Sequence, residues 1–556
     1  MSKYGDITNP SVTPQNEAAR LDQVKNNAGG FVFEAGPWKQ LDRFLILGAV
    51  GPTYYASERK VVKENFDALK KCLTEDGLRV VKRVVEISDA GRAPKNDPAI
   101  FVLAVCAGDP SPLVRAAALE ALPKVCRIGT HLFHFAEDVQ KFRKWGRGLR
   151  HAVANWYLEK KPEELAMQAI KYQQRDGWSH RDLLRLSHPQ TTSPNHLALF
   201  RWMTGGTEGF EKEHKRGVRP SRENLPRLVE VFEEMKLVKD AKTAARLIRE
   251  HKLPRETVPT ELLNNVEVWE ALLPHMGATA MIRNLGKMTA IKLLGPMGDA
   301  TKHVAKTLTD EGVIRKARVH PMQFLIAQGI YRQGHGDKGK LSWSPVREIG
   351  DALDSGFYTA FKTVEPTGKN TLLAIDVSGS MDGGMIAGAP GITPRIAAAA
   401  MAMVTARVEE SWGIVGFTSS GRGGYGGKWG GQVSGLTPID VSANDRLDTV
   451  IQKMQALPMG GTDCSLPMLY AAGENIPVDV FHVYTDNETW HGGIHPFQAL
   501  KAFRDKTGRR DVKLIVAAFT PTNFTIADPS DPGMLDVVGF DSHAPALMAD
   551  FARGNL

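Results

Sequence analysis

The chain has 556 residues and a mass of 60.9 kDa, with 42% apolar and 8% aromatic side chains, which is too long for one hydrophobic core and too apolar for a disordered chain. Its 70 Lys and Arg against 62 Asp and Glu give a net charge of +8 and a pI near 9.1, a mild excess that favours polyanionic partners without separating nucleic acid from an anionic membrane. The start, MSKYGDITNPSVTPQNEAARLDQ, has no apolar segment after a basic one, and no apolar run approaches the ~18 residues of a membrane span, so a cytoplasmic protein is expected.

Residues 1–20 are polar, carry Pro10 and Pro14 and read as an extended lead-in. From residue 21 to about 365 the pattern is helical. In DPSPLVRAAALEALPKV, Ser111 stands at the N-cap and Pro112 in the first turn, while Val114, Ala118, Ala121, Leu122 and Val125 form one apolar face; Pro123 marks an end or a kink. NLPRLVEVFEEMKLV, DAKTAARLIREH and ELLNNVEVWEALLPHM repeat this texture with short links. Such helices bury a face only by stacking, which predicts a HEAT-like curved array. Cys72, Cys106 and Cys126 in this region, and Cys464 beyond it, lack zinc-site spacing and read as reduced, buried thiols.

The linker EPTGKN closes the helical region, and residues 366–556 read differently. TLLAIDVSGS, WGIVGFTS, VDVFHVYTD and VKLIVAAFT are short, nearly continuous apolar runs separated by helical stretches such as RIAAAAMAMVTARVEE. That alternation predicts an α/β doubly wound, Rossmann-like parallel sheet covered on both faces. Ligands of such sheets sit at the carboxyl ends of the strands. There the chain places Asp376-Val377-Ser378-Gly379-Ser380, Gly460-Gly461-Thr462-Asp463 and Thr485-Asp486-Asn487. Hydroxyls and carboxylates converging from three loops suit a hard divalent cation, Mg²⁺ above all. The pattern resembles the metal-ion-dependent adhesion site of von Willebrand factor A domains. The resemblance implies that Ser378, Ser380 and Thr462 touch the metal while Asp376 and Asp486 act through water. A strand-end turn with capping serines is the plainer alternative.

Longer strings resemble one family. LDRFLILGAVGPTYYASERK, WGRGLRHAVANWY, RDGWSHRDLLRLSHP, IRKARVHPMQFLIAQGIYRQGHG, GGTDCSLPM, VYTDNETWHGGIHP and FTIADPSDPGMLDVVGFD are similar to the Ro sixty-kilodalton autoantigen family, TROVE-domain proteins, and especially to its bacterial Ro-related members. The resemblance implies a helical HEAT-like ring joined to the A domain and no catalysis. It also implies Y RNA on the outer surface, single-stranded 3′ ends of misfolded RNA in the ring's hole, and roles in RNA quality control, maturation or decay and stress, with polynucleotide phosphorylase as a partner. The chain departs from the family by the insertion DGGMIAGAPGITP and the Gly-rich SSGRGGYGGKWGGQ, whose Arg422, Tyr425, Lys428 and Trp429 suit either RNA stacking or a flexible loop.

From Lys141 to Arg185 eleven Lys and Arg face five acids. Within and just beyond this stretch, Lys171, Arg175 and His188 match family positions that contact Y RNA; Lys171 and Arg175, four apart, would share one face if helical. A second stretch holds Arg283, Lys287 and Arg318, which either line the hole or pair with acids. A metal-dependent protein-binding adaptor is the competing function. A hydrolase lacks support, because seryl and threonyl hydroxyls around a metal supply no general base.

Overall fold

The computed structural model describes residues 12–48, 58–211, 220–336, 340–361, 364–386, 391–419, 435–457, 460–520, 522–541 and 543–555. The Gly-rich loop residues Arg422, Tyr425, Lys428 and Trp429, and part of the 382–394 insertion, lie outside them.

Helices dominate from Pro37–Leu47 to Arg347–Thr359, each packing on its near neighbours in sequence, as a stacked array requires. The predicted face of the helix Pro112–Val125 is the buried one: Val114, Ala118, Ala121, Leu122 and Val125 point inward. Ser111 stands at its N-cap, but its hydroxyl makes no capping bond; Asp109 Oδ1 accepts from the Ser111 N–H at 2.8 Å instead. Asp240 does cap the helix Ala241–His251, accepting from Thr243 N at 2.8 Å. One apolar core runs from Leu41 to Phe232 and takes in Val538 of the A domain. A second begins at Val231 and continues without a break into the A domain, ending at Ala552.

The array returns on itself. Arg318 donates to Asp89 at 2.9 Å and His320 Nε2 meets the Arg92 carbonyl at 3.2 Å, joining segments about 230 residues apart. Arg92 in turn pairs with Asp541 of the A domain at 2.9 Å.

The A domain holds a six-stranded sheet. Its strands are β5 (Thr371–Asp376), β6 (Trp412–Phe417), β7 (Leu436–Pro438), β8 (Val480–Thr485), β9 (Lys513–Ala518) and β11 (Met534–Val538), in the order β11-β9-β8-β5-β6-β7. All neighbours are parallel except the β6/β7 edge pair. The four strands expected from apolar runs are the central four. The edges β7 and β11 are short or carry polar residues such as Asp536, so the apolar-run criterion passes over them. Leu372 and Ala374 face one core and Leu373 and Ile375 the other, which is why β5 reads as continuously apolar. The chain leaves β5 for β6 on one side and returns to β8 on the other, opening a crevice between β5 and β8 at their carboxyl ends.

From Val12 on, the first described residues pack against the A domain, Thr13 N donating to Gln498 Oε1 at 3.2 Å. β1 (Gln23–Lys25) and β2 (Phe31–Glu34) form an antiparallel sheet with β10 (Phe524–Thr525) of the A domain. Gln15 is fully buried. The helix Pro37–Leu47 then seats Arg43 on β11, where its guanidinium contacts both Asp536 oxygens at 3.0 and 2.8 Å.

Candidate functional site

The crevice between β5 and β8 collects the predicted oxygens. Asp376 ends β5, Ser378 and Ser380 follow in its loop, Thr462 lies on the loop before the helix Leu466–Gly473, and Asp486 follows β8. All five are buried. Asp376 accepts from Ser378 N at 2.9 Å and from Thr485 Oγ1 at 2.7 Å. The Ser378 and Ser380 hydroxyls are 3.1 Å apart. Burial, with Asp486 adding repulsion, pushes the Asp376 carboxyl up to about 7. Burial raises Asp486 as well.

Two features make this set fit a cation better than a capped turn. The Thr462 Oγ1 is buried and has no hydrogen-bond partner, a cost that a satisfied turn avoids. Neither buried carboxylate has a direct ion-pair partner among the described residues, so their mutual repulsion is offset only by hydroxyl and backbone donors and by the longer-range attraction between Arg395 and Asp376. A buried cation of the same loop region, Arg395, donates to the Val377 carbonyl at 2.8 Å and pairs with Asp382 at 3.1 Å. Among the described residues there is no group of three or more His, Cys, Asp and Glu able to hold a metal. Any cation here would be held by hydroxyls and water-bridged carboxylates, as hard divalent ions accept.

A residue distant in sequence stitches the loops together. Gln15 Nε2 donates to Asp463 Oδ1 and to the Ile494 carbonyl, both at 2.8 Å, and its Oε1 accepts from Thr489 Oγ1. Thr489 Oγ1 accepts from Cys464 N at 3.1 Å. Asn26 donates to the Thr489 carbonyl at 2.7 Å. Asn27 and Ala28 N hold Glu488, whose carboxyl burial and Asp486 push up to about 8. Sequence reading missed Gln15 and Arg395 because neither belongs to a local motif; Gln15 meets its partner 448 positions away.

The helical region presents a different kind of surface. Lys171 ends the helix Pro162–Lys171, and Arg175 lies in β3 (Gln174–Arg175), paired with β4 (Trp178–Ser179). The expected shared helical face is therefore corrected. Asp176 and Gly177 both have positive φ, 52° and 79°, the Asp-Gly signature of a tight hairpin turn, and the helix stops short of it. His188 caps the next helix, His180–Ser187, in the left-handed conformation. Lys171 is half-buried near the Tyr172 ring, while Arg175 and His188 are exposed on consecutive elements. Of the surrounding cations, Lys141 pairs with Asp138 at 2.9 Å and Arg143 donates to the Ala107 carbonyl. Lys144, Arg147, Arg150, Lys161, Arg181 and Arg185 are exposed with no side-chain partner among the described residues.

The second basic stretch splits. Arg283 is exposed without a partner among the described residues, Lys287 donates to Asn264 Oδ1 at 2.7 Å, and Arg318 is tied to Asp89 across the closure of the array. All four cysteines are buried and free. No described helix is long and apolar enough to cross a membrane.

Comparison with known proteins covers both regions. A TROVE domain model matches residues 24–330, and a Ro60 vWA domain model matches residues 370–552. The chain is 40% identical over 557 residues to "RNA-binding protein RO60" of Deinococcus radiodurans, spanning 99% of this chain and 98% of that protein. It is 36% identical over 613 residues to a protein of the same description from Caenorhabditis elegans, spanning 98% and 92%. The crystal structure of the Deinococcus radiodurans RO (RSR) protein aligns with a TM-score of 0.67 at 39% identity, covering 94% of this chain and all of that one. Matched along nearly its whole length and in both domains, the chain belongs to the Ro60 family of TROVE-domain proteins.

Proposed function

We propose that this chain is a non-enzymatic RNA-binding protein. The observation that carries the reading is the set of exposed cations between Lys144 and Arg185 that the fold leaves without partners among the described residues, in a chain whose relatives are named for RNA binding. Some exposed cations elsewhere are neutralised locally, as in Arg227–Glu230 and Arg246–Glu250, both at 2.8 Å, while others, such as Lys242 and Arg249, also stand without a side-chain partner among the described residues. Unpaired guanidinium and ammonium groups can neutralise phosphates and so release the counterions condensed on the nucleic acid. In this reading Lys171, Arg175 and His188 hold a structured Y-like noncoding RNA. Arg283 and Lys287 guide single-stranded 3′ ends of misfolded RNA. Arg318 supports them by closing the array. Quality control, maturation or decay of RNA in the cytoplasm, alongside a nuclease such as polynucleotide phosphorylase, is the matching role.

The A domain would add a divalent cation, most simply Mg²⁺, held by Ser378, Ser380 and Thr462, with Asp376 and Asp486 acting through water. The ion would supply a Lewis-acidic position for an acidic partner, which is how the adaptor reading and the RNA reading coexist in one molecule. Asp463, Thr489 and Gln15 keep the loops in register for it.

The test is a competition series with one structured RNA carrying 3′ tails of increasing length. Replacing Lys171, Arg175 and His188 together by Ala should weaken every member by a similar factor. Replacing Arg283 and Lys287 by Ala should erase the gain from the tail alone. Affinity unchanged in both variants removes both surfaces from the RNA site.

A further inference from the structure

Where the first and last parts of the helical array meet, a cavity of about 420 Å³ opens between the helices Ala278–Ala290 and Pro321–Gln333, within the ~300–1,000 Å³ range of small-molecule sites. Its apolar walls include Ile282, Met322 and Ile326, and its aromatic side chains are Tyr331 and Trp343. That indole is fixed: its Nε1 donates to the Tyr331 carbonyl at 3.0 Å, the two rings stack at 6.1 Å, and a Cβ on Gly286 would lie 2.7 Å from it. Lys95, Arg283 and Lys287 are the cations of the lining, and no Asp or Glu among the described residues lines it. Lys95 and Arg283 are exposed without a partner, and the Gln323 side chain also makes no hydrogen bond among the described residues.

We propose that this cavity is a nucleotide site, taking one base against Trp343 with its phosphate toward Lys95, Arg283 and Lys287. A fatty carboxylate would fill the apolar walls but would use one cation and leave the Gln323 amide idle. A nucleotide uses the whole lining: a flat face for the indole, a hydrogen-bonding edge for Gln323 and a phosphate for the cations. The shared chemistry is that of a free mononucleotide and of the last nucleotide of an RNA strand. The proposal rests on the single-strand reading of Arg283 and Lys287 only for the second source. Because Lys95 comes from the start of the array and the other cations of the lining from its end, an occupant bridges the closure and stabilises it.

The experiment uses the full chain and an N-methylanthraniloyl derivative of AMP, followed by anisotropy. Saturable binding is expected, weakened at least tenfold by Ala327→Phe, which fills the cavity, and by Arg283→Gln, which leaves its shape intact. Both variants are checked for an unchanged melting temperature without nucleotide; if Ala327→Phe is misfolded, the exposed Arg283→Gln alone decides. Unlabelled AMP, linear oligoadenylate and its circular form then compete. AMP competing alone assigns a free nucleotide, and the linear form competing tenfold better than the circle assigns a strand end; either supports the site. No saturable binding, or equal binding in wild type and both variants, overturns it. If the Arg283 and Lys287 variants lose the RNA-tail gain while Ala327→Phe binds AMP derivative and tail like wild type, the strand reading stands and the nucleotide site falls.

Discussion

The two candidate binding regions are built in opposite ways. Around Lys171 to His188 the functional groups sit on consecutive helix ends and one hairpin, exposed and largely unpaired, and their scaffold is local. At the A-domain crevice the groups are buried, linked hydroxyl to carboxylate, and held by residues from the far end of the chain. An exposed charge costs little to leave unpaired because water solvates it. A buried one must be answered by the protein or by a ligand. The first region should therefore tolerate substitution with loss of binding only, whereas in the second the loss of a buried group that has a hydrogen-bond or ion-pair partner should become loss of stability.

The largest effect is expected at Arg43, which ties the start of the chain to β11. Arg43→Ala leaves Asp536 buried with only the Thr525 hydroxyl at 3.1 Å and Lys39 at 3.8 Å to answer it. It should lower unfolding free energy by about 3–5 kcal/mol, read as a reduced urea midpoint with an unchanged slope. A midpoint within error of wild type would mean that the A domain does not depend on its N-terminal partner.

Next comes the cation. If the crevice binds Mg²⁺, a hundredfold excess over Kd stabilises the native state by about 2.7 kcal/mol. Thr462→Ala, which removes the unpartnered hydroxyl, should abolish that increment while leaving the melting temperature in chelator nearly unchanged. Superimposable curves with Mg²⁺ and chelator in wild type would reject an ion at this site.

Gln15→Ala should cost less, about 1–3 kcal/mol, by removing the buried bonds to Asp463, the Ile494 carbonyl and Thr489, while Asp463 keeps its Ser465 donors and Thr489 keeps the Cys464 N–H. Its sharper signature is a smaller Mg²⁺ increment, because the Thr462 and Asp486 loops lose their common anchor. A full increment in a destabilised variant would limit Gln15 to a structural role.

These outcomes bear on what a sequence discloses. The crevice oxygens of Asp376, Ser378, Ser380 and Asp486 were legible because each ends or follows an apolar strand, whereas Thr462 stands before a helix and was legible only from the Gly460-Gly461-Thr462-Asp463 string; the parallel pairing of β5 with β8 brings Asp376 and Asp486 together. The inward face of Pro112–Val125 was legible from helical spacing. What failed was non-local or depended on turn chemistry. Gln15 lies in a polar, Pro-containing stretch that looks like a tail, and its burial follows from partners near residues 463 and 489. Lys171 and Arg175 are four apart, but Asp176-Gly177 forces a turn that spacing alone ignores. Arg318 reads as one more basic residue until Asp89 appears opposite it.

A smaller, graded effect is expected with pH. Burial holds His180 and His320 down to about 4 from 6.5. Between those values the unfolded chain binds protons that the folded chain does not, so stability rises with pH across the window and is lost as pH falls from about 6.5 towards 4. The raised Asp376 and Glu488 carboxyls act the other way, stabilising the fold as pH falls from about 8 towards 4.5, so the histidine contribution is read as the difference in urea midpoint between wild type and His320→Gln, which should be constant above about pH 7 and change below about 6.5. A difference between wild type and His320→Gln that stays constant down to about pH 5 would show that His320 is not buried neutral.

The smallest effect on stability belongs to the exposed surface, and it is the one that separates the regions most cleanly. Replacing Lys171, Arg175 and His188 by Ala removes no buried hydrogen bond or ion pair; what goes is a Lys171–Tyr172 ring approach of 5.5 Å and an Arg175–Asp176 approach of 3.7 Å. The unfolding free energy should move by about 1 kcal/mol or less, most of it at His188, whose left-handed cap position suits Ala poorly. Affinity for a structured RNA should nonetheless fall, and the slope of log K against log salt should flatten by roughly 0.9 for each duplex phosphate that the variant no longer neutralises. The sequence preference should not change, because phosphate contacts carry position rather than base identity. A variant that binds with an unchanged salt slope clears these residues of phosphate contact, and one that unfolds at lower urea shows that this surface, too, carries part of the fold.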